Sequence, residues 1–250
     1  MTKRATAGLA AGALLLAGLA AGCSGDDGDG GDNGGDSSGG DDNGGAFAEQ
    51  GYAEIKQAAV EAMETLESMH VDFEVSAQEQ TFATDISMSL DGRCEGSVSQ
   101  GAATAELLQT EDGAWYRPNA DYLAIEFPDD TAQVIRFIGD SWVTDEAGDV
   151  VAGNCDLEGF IDSISDDEDE SDTSVGGVEK LDGEDVVRID FTNAVGKGSA
   201  WVLVEGEHYI VKIETSGDQD GTAVFSAFNE EVEPKAPAAD ETVDLADFGA

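Results

Sequence analysis

The groups in this chain with intrinsic chemistry are three thiols, two imidazoles and 55 carboxylates, spread over 250 residues. The imidazoles, His70 and His208, sit far apart and in no HxxxH-type spacing, so a zinc site is not expected. Gly196-Lys197-Gly198 lacks the preceding glycine and following hydroxyl of a phosphate-binding loop, and no Gly-x-Ser-x-Gly elbow occurs. Paired carboxylates are the tools of glycoside hydrolysis, but at this abundance such pairs arise by chance. The chain is therefore expected to be no enzyme and to need neither metal nor cofactor.

The thiols say more. Cys23 follows Ala20-Ala21-Gly22, small residues preceded by the apolar stretch Leu9–Leu19 and by Lys3 and Arg4. A basic start, a short apolar run and small residues form an export signal. The run is too short and glycine-rich for a permanent membrane helix. Small residues directly before a Cys resemble the bacterial lipobox, in which the sulfur takes a diacylglycerol and the Cys becomes the first residue. The favoured Leu stands at Leu19, one place further away than in the commonest pattern. An incidental Cys behind an ordinary secretory signal is the alternative. Each buried methylene of an acyl chain adds about 0.8 kcal/mol, so several chains on Cys23 make a firm anchor. The expected location is the cell membrane, lipid-anchored, on its extracytoplasmic face.

With Cys23 acylated, Cys94 and Cys155 remain, and in an exported chain they most simply close one disulfide; two buried free thiols are the alternative. They form no CxxC, which leaves redox catalysis without support.

The charge excludes other functions. Only 11 basic residues face the 55 acidic ones, a net charge of −44, and removal of residues 1–22 takes away two of those bases. Nucleic-acid binding needs clustered Lys and Arg, so no nucleic-acid partner is expected. At 40% hydrophobic residues the chain must nevertheless fold around a core.

Three segments follow from composition: a lipoprotein signal over 1–22, the acylated Cys and a spacer over 23–45, and one domain over 46–250. Ser24–Gly45 contains only Gly, Asp, Ser and Asn, a flexible tether with a reach of roughly 25 Å. Tyr52, Ile55, Ala59, Met63 and Leu66 follow helical spacing, which predicts one helix over about 48–68. The period then changes to two at Val71-Phe73-Val75 and again at Ile86-Met88-Leu90, before an Asp91-Gly92 turn. Helices are expected after Pro128-Asp129-Asp130 and over Asp156–Ile164, the second ending in the acidic run Asp166–Glu170, read as a solvated loop. Alternation returns at Val187-Ile189-Phe191, Trp201–Val204, Tyr209-Val211-Ile213 and Thr222–Phe228, with turns between. These are antiparallel strands with one apolar and one wet face.

The segments Leu181-Asp182-Gly183-Glu184-Asp185-Val186-Val187-Arg188-Ile189, Ala200–Val204, His208–Ile213 and Gly221–Ser226 resemble the LolA/LppX-like lipoproteins. So do Gly92–Gly96 and Cys155-Asp156-Leu157, which supports the disulfide. The resemblance covers about residues 48–245 and departs from the family in its extreme acidity. It implies an α+β fold, a curved antiparallel sheet or half-barrel wrapped over helices, with an apolar cavity between the layers. It also implies a lipid ligand. Cavity candidates in the first strand group are Phe73, Val75, Ile86, Met88 and Leu90. In the second they are Val187, Ile189, Phe191, Val211 and Ile213. A filled core has the same alternation, so an envelope protein-binding module, sensor or adaptor, stays open as the alternative.

Overall fold

The computed structural model describes residues 43–77, 80–146, 148, 150–165, 171–193, 196–217 and 220–248. Cys23, most of the spacer and the acidic run Asp166–Glu170 lie outside the described residues.

The expected first helix is two. Helix α1 (Asn43–Ala48) is followed by a turn, and α2 (Tyr52–Met63) starts from Gly51, whose extended backbone redirects the chain. Helix α2 buries Ile55, Ala59, Ala62 and Met63 on one face, as its spacing requires. It stops well short of residue 68 because the alternating run from Ser68 belongs to a strand. Thr65 closes the helix end by donating its hydroxyl to Ala62 O at 2.7 Å.

The described strands form a single sheet. They are β1 (Ser68–Ala77), β2 (Gln80–Ser89), β3 (Cys94–Gln100), β4 (Ala103–Thr110), β5 (Gly113–Pro118), β6 (Trp142–Thr144) and β7 (Ser171–Leu181). β8 (Glu184–Asn193), β9 (Gly196–Leu203), β10 (Ile210–Gly217), β11 (Asp220–Ser226) and β12 (Thr242–Val243) complete it. The spatial order is β12-β6-β5-β4-β3-β2-β1-β11-β10-β9-β8-β7. Every pairing is antiparallel except β12 on β6. Two meanders thus meet where β1 pairs with β11, from His70 opposite Ser226 to Ser76 opposite Asp220. β7 and β12 are free edges, so the sheet is open, not a closed barrel. This is the α+β architecture expected from the sequence.

Turn chemistry fixes the registers. Asp182 and Gly183 both have positive φ, 52° and 99°, as the two-residue turn between β7 and β8 requires. Gly96 on β3 is obligatory for another reason: a Cβ there would stand 2.1 Å from the Asp85 carbonyl oxygen on β2.

Three more helices cover the sheet: α3 (Ala120–Glu126), α4 (Thr131–Ile138) and α5 (Leu157–Ser165). Asn119 caps α3 by accepting from the Tyr122 amide at 2.8 Å. α4 buries Val134 and Ile138, and α5 starts at Leu157 with Leu157 and Ile161 buried. Among the described residues no helix is long and apolar enough to cross a membrane.

Glu126 ends α3, where the helix dipole already disfavours a negative charge. Partial burial raises its carboxyl above the ordinary value. A raised carboxyl weakens the folded state as pH climbs through its folded pKa, and not below its unfolded value. Glu126→Gln is therefore expected to raise Tm at pH 7 by about 1–2 °C and to change nothing near pH 3, measured by thermal melts at both pH values.

Candidate functional site

The inner face of the sheet is a continuous apolar layer. Cross-strand registers carry one row through Phe225, Val71, Ile86, Gly96, Leu107, Tyr116 and Val143, from β11 across to β6. A second row runs Phe73, Ala223, Ile213, Ala200, Ile189 through the other half. Ile55, Ala59 and Met63 of α2, Val134 and Ile138 of α4, and Leu157 and Ile161 of α5 belong to the same cluster. Ser68 is buried too, and its hydroxyl donates to Glu230 O at 2.5 Å.

The sequence candidates fall in different places. Ile86, Met88, Val187 and Ile189 are buried in this layer, whereas Val75 is buried outside its cluster. Phe73, Phe191 and Ile213 are half-buried and packed against it. Leu90 stands outside: it lies beyond the end of β2, in the turn that Asp91 and Gly92 complete, and is 54% exposed. Val211 is displaced by a bulge between Ile210 and Lys212. The extra residue moves Ile210 into the buried position opposite Val202, and Val211 is only half-buried. A bulge has no signature in an alternating apolar run.

Cys94 and Cys155 form a disulfide, S–S 2.02 Å, with both residues buried. It ties β3 to the chain two residues before α5. Tyr116 and Tyr122 supply two hydroxyls to the layer. Burial, and then the negative charges of Glu126 and Asp145, push Tyr122 up to about 12, and Tyr116 is raised as well, so both stay neutral.

At the centre of the layer Ile86 and Val187 are fully buried. A void of about 20 Å³ between β3, β4 and α3 is lined by Val98, Ala103 and Tyr122 among others. That is room for one water molecule, with the unpartnered Gln100 Oε1 close by, and not for an acyl chain. A much larger cleft, about 770 Å³, is polar and takes in only Phe191 of the sequence candidates.

His70 is the imidazole with a hydroxyl and a carboxylate beside it. His70 Nδ1 lies 3.1 Å from Ser87 Oγ and its Nε2 3.7 Å from Asp85. Asp85, however, is 69% exposed, so it cannot hold the ring in a water-excluded site as a nucleophile's base requires. Among the described residues no group of three His, Cys, Asp or Glu side chains is placed to hold a metal ion.

No family model matches the sequence, and no curated protein matches it. Solved structures do. LprF from Mycobacterium bovis aligns with a TM-score of 0.54 and 14% identity, covering 74% of this chain and 96% of that one. The Mycobacterium tuberculosis lipoprotein LppX aligns with a TM-score of 0.44 and 14% identity, over 76% and 98% of the two chains. The open antiparallel sheet wrapped over helices, with LprF superposing over nearly its whole length, gives this chain the LolA/LppX-like fold.

Proposed function

We propose that this chain is an extracytoplasmic lipoprotein, acylated at Cys23 and held off the membrane by its Gly/Asp spacer. Its domain binds or carries an apolar ligand, a lipid, between the sheet and the helices. The observation that supports this most is the inner layer itself: an apolar surface across both meanders that makes almost no hydrogen-bond demand. Such a surface exchanges protein contacts for acyl-chain contacts at little cost in polar desolvation. Because Ile86, Met88, Val187 and Ile189 are already buried, a lipid reaches them only if the helices separate from the sheet. The disulfide at Cys155 anchors the entry of α5 to β3, so in this reading the helix pivots about that point instead of detaching. Residues 1–22 are the export signal in this reading, and the domain begins near residue 46.

Native mass spectrometry of delipidated Cys23→Ser protein, refolded and offered envelope lipids, tests this reading. Adducts of one lipid mass are expected; a bare protein at every lipid concentration would overturn it.

A second reading is favoured by one observation, the complete packing of Ile86, Met88, Val187 and Ile189. In that reading the layer is only a core, and the domain is an adaptor whose acidic exterior steers a basic envelope protein. Crosslinking in intact cells with salt-sensitive capture of one dominant partner is its expected signature.

A further inference from the structure

The large cleft lies on the outer, water-facing side of the sheet, away from the apolar layer. Registers place Glu74, Thr222, Glu214, Ser199 and Asp190 in one unbroken cross-strand row over β1, β11, β10, β9 and β8. Two residues further along, Ser76 stands opposite Asp220, and Ser216, Lys197 and Thr192 line up over β10, β9 and β8. All of these line the cleft. Their sequence neighbours Ala223, Ala200 and Ile189 are buried in the layer, so strand alternation turns these polar side chains the other way. Phe191, Gly198, Thr215 and Gly221 alternate with them and also line the cleft.

The charges in the cleft are mixed: Glu74, Asp172, Asp190, Glu214 and Asp220 stand there with basic groups that are scarce in this chain. Two of its 11 basic residues, Arg188 and Lys197, line this one cavity. Arg188 is engaged: its Nη2 lies 2.7 Å from Asp190 Oδ1, which also accepts from Ser199 Oγ at 2.6 Å. Partial burial works to raise the Asp190 carboxyl, but Ser199 and Arg188 together outweigh it and hold the group below its ordinary value. Glu214 is paired with Lys212 at 2.5 Å. Lys197 and Glu74 have no ion-pair partner among the described residues, so an ammonium and a carboxylate stand ready within one cleft beside the hydroxyls of Thr192, Ser216 and Thr222.

We propose that this cleft binds a neutral oligosaccharide. An anionic ligand meets Glu74, Asp172 and Asp220, and a cationic one, though drawn by those carboxylates, meets Lys197. A peptide finds no apolar side chain on this face of the cleft to anchor it. A sugar hydroxyl both donates and accepts: it donates to the carboxylates and accepts from Lys197 and the Ser and Thr hydroxyls. The volume, about 770 Å³, falls in the range of small-molecule sites. The site is on the opposite face from the lipid layer and stands independently of what that layer holds.

The test is a glycan array of neutral, uronate-bearing and amine-bearing oligosaccharides, probed with the full chain carrying Cys23→Ser, followed by titration of the retained sugars. Neutral sugars are expected to bind equally at low and high salt. Lys197→Met and Thr222→Val are each expected to weaken binding about tenfold, while Tm and the lipid adducts of the same variants stay unchanged. The unchanged adducts separate this outcome from the fate of the lipid reading. Retention of amine-bearing sugars alone, lost in salt, would show only the acidic field of the surface and overturn the proposal. Retention of no sugar, or neutral binding that ignores both substitutions, would overturn it equally.

Discussion

Cys94→Ala together with Cys155→Ala is expected to lower the stability of the domain by about 4 kcal/mol, from the loop-entropy relation for a closed loop of this length. The two residues are 61 positions apart, so the bond removes a large share of the unfolded chain's freedom. Alanine is the right replacement because both sites are buried and a serine hydroxyl would need a partner there. Urea titrations of the oxidised protein and the double variant measure the difference. A loss under about 1 kcal/mol would mean that the loop stays ordered in the unfolded chain or that the thiols are free in the native protein. The same variant carries a functional expectation. It releases the segment before α5 from β3, so lipid uptake should become faster while retention becomes shorter.

Ile86→Ala is the second large effect. Ile86 is fully buried between Val71 and Gly96 in the central row of the layer, where neighbouring backbones leave little room to collapse. Truncation of such a residue costs about 2–5 kcal/mol, part lost transfer and part cavity. An apolar void is also a place for a ligand's methylenes, and binding to the native state alone restores stability by mass action. Denaturation of Ile86→Ala with and without a saturating lipid is therefore expected to show a larger lipid-induced gain than the unaltered protein shows. Equal gains would place the lipid elsewhere than the central row.

Much of this architecture was legible where one face of a strand is strictly apolar. Val71-Phe73-Val75, Ile86-Met88 and Val187-Ile189-Phe191 announce β1, β2 and β8, and the Asp-Gly pairs announce their turns. Strands β3 to β5 were silent. Cys94–Gln100 reads CEGSVSQ, and its inner positions are taken by a disulfide cysteine, an obligatory glycine and Val98, which gives no alternating signal. β7 was equally silent because it is an edge, mostly exposed, and interrupted by Gly176-Gly177. The first helix was over-extended because helical spacing continues through Gly51, where the backbone does not.

The candidate layer was legible as a set of residues but not as a state. Periodicity tells which side chains face inward, and the same pattern serves a cavity or a packed core; only tertiary contacts show Ile86 and Val187 closed over. Local features decided the exceptions, Leu90 by falling in a turn and Val211 by following a bulge. The outer cleft could not be read at all. Its residues are mostly ordinary polar ones from six strands, and β1 and β11, distant in sequence, meet only in the fold.

Photo-crosslinking with a diazirine-labelled acyl phospholipid, followed by peptide mapping, tests the central claim most directly. Labels are expected on inner-face peptides that contain Phe73, Ile189, Phe191 and Ile213, and on α5. Labels confined to the outer face, or no label above that on an unrelated soluble protein, would contradict a lipid held between the sheet and its helices.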